Sequence, residues 1–124
     1  MASHRGLKAW QHARVLAVEC AKAARTFPAE EQRALADQLR RAAYSGALNI
    51  AEGAAKRSNR DYRRFLDTAR ASLKEVEAIL EIVRELGYVD SSTFARLEAR
   101  ADEASKTLYG LIRAIEARAA RSPS

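Results

Sequence analysis

The chain is poor in the residues that punctuate or cross-link a fold. It has two prolines and five glycines among 124 residues, so few positions force a helix to stop. One cysteine, Cys20, excludes an internal disulfide and any multi-cysteine metal site. Aromatic residues make up only 6%, and Val, Ile, Thr and aromatics nowhere alternate over more than a few positions, which argues against strands. No run approaches the 18 or so uncharged apolar residues of a membrane span, and the start, MASHRGLKAW, lacks the apolar core of a signal peptide, so a cytoplasmic protein is expected.

What is abundant is alanine and arginine. Alanine enters a helix at the least cost and lets helix axes approach closely. Of the 22 basic residues 17 are arginine, and the formal charge is +6. Arginine's planar fork suits phosphate and carboxylate, which favours an anionic partner. The length suits one domain with one core, taken as residues 1–124.

Apolar residues recur at alternating spacings of three and four in four segments, about 7–25, 29–53, 59–86 and 92–119. The first carries Trp10, Ala13, Ala17, Cys20 and Ala24, with Trp10 as its one bulky anchor and Leu16 and Val18 on other faces. Those two residues hint at a second contact surface, and Cys20 on the stripe reads as a buried, inert thiol. Pro28 ends that helix and opens the second, with Glu30 and Glu31 in its first turn. The second runs through Leu35, Leu39, Ala42, Gly46 and Asn49 or Ile50 to Gly53, which could supply a left-handed cap. Ser58 caps the third, whose stripe is Tyr62, Leu66, Ala69, Leu73, Val76, Leu80 and Val83. Asp90, Ser91, Ser92 and Thr93 offer caps for the fourth, which carries Phe94, Leu97, Ala101, Ala104, Leu108, Leu111 and Ile115 before a tail that loses the pattern and frays. Short connections between amphipathic helices predict an all-α fold, an antiparallel up-down-up-down four-helix bundle with left-handed supercoiling.

Two constellations stand out from this apolar frame. Gln38, Ser45, Asn49 and Glu52 fall on one face of the second helix, either as a polar seam that fixes register or a subunit contact, or as a wet edge of the core. The other is the run Lys56, Arg57, Arg60, Arg63 and Arg64, with only Asp61 as counter-charge, preceded on the second helix by Arg40 and Arg41. It suits nucleic-acid phosphates, an acidic protein surface, or solvent at a bundle end. Catalysis finds no footing: His4 and His12 have no second carboxylate at ligand spacing, no Glu is followed three later by His, and IAEGAAKRS lacks the ending of a phosphate loop. No metal, cofactor or enzymatic activity is expected.

The motifs FPAEE, QLRRAAYSxxxNIAEGxxxRS and RFLxxARASLKE, in this order, resemble the 23S rRNA intervening sequence proteins, a bacterial family, over roughly Leu7 to Ile115. The resemblance implies a four-helix bundle, assembly into five-membered rings, and kinship with the accessory variability protein of diversity-generating retroelements, which binds a reverse transcriptase and nucleic acid. It makes RNA the favoured nucleic acid and a reverse transcriptase or other polymerase a possible protein partner. The positions carrying the motif are Gln38, Arg41, Ser45, Asn49, Glu52 and Gly53, with Ser72 and Glu75 on the third helix. Two positions depart from the family pattern. Gly46 stands where isoleucine is usual, which a close helix approach would explain, and Ala71 stands where glycine is usual, which would loosen a contact that glycine allows.

Overall fold

The computed structural model describes residues 3–121. Four α-helices account for most of them: α1 (Lys8–Ala24), α2 (Leu35–Ala54), α3 (Asn59–Glu85) and α4 (Ser91–Arg121). Two short 3-10 turns, His4–Gly6 and Ala29–Glu31, precede α1 and α2. Each helix packs on two others, α1 and α3 both lying beside α2 and α4, and among the described residues neither diagonal pair brings its backbones as close. The result is a four-helix bundle around one continuous core cluster of aliphatic residues and alanines.

Periodicity places the stripes of α3 and most of α4 correctly: Tyr62, Leu66, Ala69, Leu73, Val76, Leu80 and Val83 are all buried. Near the end of α4 the buried residue is Ile112, with Leu111 only partly covered, because a helix of 3.6 residues per turn drifts off a strict 3.5 repeat. In α1 the expected stripe is incomplete: Ala13, Ala17, Cys20 and Ala24 are buried as expected, and Leu16 joins them. Leu16 is fully buried at 0% exposure while Val18 is 45% exposed, so Leu16 belongs to the seam Ala9, Ala13, Leu16, Cys20, Ala24. Trp10 packs only against the edge of the core. Ala17 is also buried, and so many alanines leave the direction of the stripe ambiguous in the sequence.

The α1–α2 connection is longer than Pro28 alone suggests. After the 3-10 turn the backbone breaks again at Ala34 (φ −119°, ψ −103°), so α2 starts at Leu35 and Glu30 and Glu31 lie ahead of it, leaving Asp37 as the acid of its first turn. The Gln32 side-chain amide donates to the carbonyls of Ala24 (2.8 Å) and Phe27 (3.0 Å), satisfying groups the end of α1 leaves open. Gly53 is not a left-handed cap. It is buried inside the last turn of α2, and the helix continues to Ala54. The left-handed glycine is Gly87 (φ 78°), where amide Tyr88 donates to Val83 O (2.9 Å) and amide Gly87 to Arg84 O (3.0 Å), closing α3 with a Schellman motif.

Ser58 caps α3, accepting from the Asp61 amide at 3.1 Å. Of the four residues offered as caps for α4, Asp90 takes the role, accepting from the Thr93 amide at 2.7 Å. The stretch 117–121, expected to fray, is helical, while 122–124 lie outside the described residues. Across α1 and α4, Glu19 accepts from both Arg96 and Arg100 at 2.9 Å each. No helix among the described residues is long and apolar enough to cross a membrane.

Candidate nucleic-acid interface

The polar face of α2 divides in two. Ser45 and Ser72 meet with their hydroxyl oxygens 2.8 Å apart, and the Asn49 amide donates to Ser45 O (2.9 Å) and Ser45 Oγ (3.0 Å). This half-buried trio links α2 to α3, and among the described residues no buried side-chain polar atom lacks a partner. Gln38, Glu52 and Glu75 are exposed and do not join it; Glu52 instead pairs with Lys56 at 3.9 Å. One residue after Ser45, Gly46 admits a side chain of α3: a Cβ there would lie 2.7 Å from Leu73 Cδ2. The close approach that explains this glycine is therefore present. Ala71 is exposed, so within the bundle it loosens nothing.

The basic residues also separate. Arg40 is drawn to the start of α2, donating to Gln32 O at 2.9 Å, and Arg41 pairs with Asp37 at 3.0 Å. Both sit some 15 residues before Lys56, roughly 22 Å along the helix axis at about 1.5 Å per residue, and do not reach the α2–α3 junction. Arg63 is a clamp between α3 and α4, bonded to Asp67 (3.0 Å) and to Glu116. Arg64 pairs with Asp61 at 3.6 Å. Asp61 is thus one of several counter-charges in this region, since helix packing brings Glu116 across from α4. Among the described residues Arg57 and Arg60 are exposed and form no ion pair.

At the junction itself a cleft of about 240 Å³ opens, lined by Lys56, Arg57, Ser58, Asn59 and Tyr62 together with Ser3 and Arg118. No carboxylate lines it. Lys56 is positioned by Phe65, over whose ring its ammonium sits at 5.0 Å, with Arg64 at 5.0 Å from the same ring. Burial pushes the Tyr62 hydroxyl up, and the charge of Arg118 pulls against that shift. Arg118 was invisible in the sequence, because it lies in the stretch where the apolar pattern stops. Its only signal is its spacing of three from Ile115, which keeps it near the core-facing side of a helix that continues.

A family model, 23S rRNA-intervening sequence protein, matches residues 5–110. The chain belongs to this family. The match takes in the 3-10 turn at His4–Gly6 almost whole, the Ser45–Asn49–Ser72 trio and the Lys56–Arg64 run, and it ends before Arg118. The fold is also similar to the crystal structure of a protein of unknown function from the S23 ribosomal protein family of Bacteroides thetaiotaomicron. That similarity has a TM-score of 0.77 at 22% identity and covers 84% of this chain and 97% of the other. No curated protein matches the chain.

Chemically, the lining of the junction cleft is basic and polar. Cys20 is buried, and burial first, then the neighbouring Glu19 charge, pushes its thiol up to about 12, so it carries no thiolate at neutral pH. Among the described residues no group of three or more His, Cys, Asp and Glu is placed to hold a metal ion.

Proposed function

We propose that this protein is a non-enzymatic, cytoplasmic four-helix bundle that binds nucleic acid, RNA in preference, through the basic cleft at the α2–α3 junction. One observation carries the reading: Lys56, Arg57 and Arg118, from two distant parts of the chain, converge on one cleft that no carboxylate lines. Among the described residues only Lys56 of these three has a carboxylate partner, Glu52 at 3.9 Å and outside the lining, so the cleft keeps the net positive charge that phosphate contacts use through release of condensed counterions. RNA is preferred because the family's description ties it to 23S rRNA. The cleft replaces the broader arginine set as the core of the interface, with Arg60 beside it. Arg40, Arg41, Arg63 and Arg64 act at a distance or through the fold, since none of them lines the cleft and each is held by a carboxylate.

The bundle in this reading is antiparallel, up-down-up-down and left-handed. Gly53 at the end of α2 lies beside Tyr62 at the start of α3, and the Tyr88 hydroxyl just after α3 donates to Glu31 just before α2 at 2.7 Å. Assembly into a homo-oligomer, a five-membered ring by family resemblance, is supported by large apolar side chains left in solvent: Leu48 at 61%, Tyr109 at 56% and Tyr44 at 43% exposure. The same positions support a second reading, an adaptor for a protein such as a reverse transcriptase.

The test is a titration of labelled RNA and DNA at several salt concentrations. Affinity falls steeply as salt rises, and the Arg57→Gln, Arg118→Gln double variant lowers the slope of log K against log salt by about 1.4, two single-strand phosphate contacts at roughly 0.7 each. No binding to any RNA or DNA at low salt overturns the reading. A complex with a purified reverse transcriptase that survives high salt and nuclease would support the second one.

A further inference from the structure

A second cleft, of about 590 Å³, lies around the first turns of α1 and is bounded by Arg100 of α4. Its walls carry His4, Arg5, Trp10, His12, Arg14 and Arg100, and again no carboxylate. The rings of His4 and Trp10 stand at 84° with centroids 4.6 Å apart, so the cleft contains two nearly perpendicular aromatic walls. The Gln11 amide donates to Arg5 O at 3.0 Å and fixes the 3-10 turn that holds His4 in this corner. Arg5 and Arg14 are exposed and form no ion pair among the described residues, and Arg100 is oriented by its bond to Glu19 at 2.9 Å. The volume falls within the range of about 300–1,000 Å³ typical of small-molecule sites.

The turn at His4–Gly6 divides this cleft from the junction cleft: Ser3 and Leu7 border the one, His4 and Arg5 the other. A strand whose phosphate is held by Lys56, Arg57 and Arg118 therefore has an aromatic corner within reach on the other side of a single turn of backbone. We propose that the Trp10 cleft is a base-stacking subsite, and that the nucleic acid this protein binds is single-stranded, with at least one base unstacked against the Trp10–His4 pair and its flanking phosphates on Arg5, Arg14 and Arg100. This rests on the nucleic-acid reading above and specifies its ligand. A duplex cannot use the corner, because its bases are already stacked and present only their edges.

The chain contains one tryptophan, so the subsite reports on itself. The unaltered protein is titrated at low salt with an end-labelled oligouridylate or oligoadenylate, with an RNA duplex of equal length, and with inorganic polyphosphate. Binding is followed by label anisotropy, or by competition for polyphosphate, and in parallel by tryptophan emission. Single strands quench the emission on binding, while duplex and polyphosphate leave it unchanged. Trp10→Leu, checked for folding by circular dichroism, weakens single-strand binding roughly 5- to 150-fold, the range set by one stacked base, and leaves duplex binding as it was. Anisotropy binding without quenching, or equal quenching by polyphosphate, overturns the subsite and leaves the nucleic-acid reading standing. Absence of binding to every RNA removes both.

Discussion

Gly53 offers the sharpest test of how α2 and α3 meet. A Cβ added there would lie 3.0 Å from Tyr62 Cδ1, 3.1 Å from Phe65 Cβ and 3.2 Å from Tyr62 O. All three separations are tighter than ordinary van der Waals contact, and two of the atoms belong to the α3 backbone or its first side-chain carbon, which cannot swing aside. Gly53→Ala gains helix propensity, at most about 1 kcal/mol and less here because Gly53 is one residue from the end of the helix. Against this, overpacking costs about 1–3 kcal/mol. The net is a loss of about 1–2 kcal/mol, which for a chain of this size lowers the melting temperature by roughly 3–10 °C. Gly110 is the internal control. It lies within α4, exposed, with nothing within 4 Å of a Cβ, so Gly110→Ala keeps the whole propensity gain. That variant melts roughly 2–5 °C above the parent. Thermal melts by circular dichroism compare the three proteins at one concentration. A Gly53→Ala protein that melts at or above its parent would refute the claim that α3 passes this close.

Two further outcomes follow from the packing and the caps. Leu16→Ala, at a fully buried position, costs about 2–5 kcal/mol, whereas Val18→Ala, 45% exposed, stays within about 0.5 kcal/mol; urea titrations that rank them the other way would take Leu16 out of the core. Asp90 accepts hydrogen bonds from Thr93, backbone first and side chain second, and these hold its carboxyl below the usual carboxylate range. A depressed folded value adds stability above the ordinary value of about 4 and loses it as pH falls through the folded value. Asp90→Ala therefore melts below the parent at neutral pH, and the gap closes in stronger acid. An equal gap at both extremes would remove Asp90 as the cap of α4.

The helices were legible because each repeats one simple signal many times. Along α3 seven successive stripe positions agree, and one ambiguous residue cannot shift them. In α1 the same signal finds Ala13, Ala17, Cys20 and Ala24 but leaves out Leu16, because alanine is apolar enough to sit in a seam and small enough to sit beside one. Leu16 and Ala17 are both buried, so the apolar face is broader than a single line at spacings of three and four. The roles of Gly53 and Gly87 were likewise hidden: a glycine that admits a neighbouring helix and one that turns left-handed look alike until the partner helix is present.

The polar and basic residues were visible by type but not by company. Charge alone grouped Lys56 to Arg64 as one patch, yet a helix turns about 100° per residue, so neighbours in sequence point in different directions. Arg63 turns toward α4 and finds Glu116, while Lys56 and Arg57 precede α3 and share a cleft with Arg118, 61 residues beyond Arg57. Local sequence therefore overestimates the patch and misses a residue that completes the cleft. The same logic separates Ser45, Asn49 and Ser72 from Glu52. The first three reach one another and link two helices, whereas Glu52, three residues beyond Asn49, leans outward and shares its charge with Lys56. Removing Glu52 would then free a cation at the cleft rather than disturb the trio, so Glu52→Gln should strengthen RNA binding modestly while leaving the melting temperature near that of the parent. Weaker binding, or a protein destabilised as Ser72→Ala would be, would place Glu52 with the trio after all.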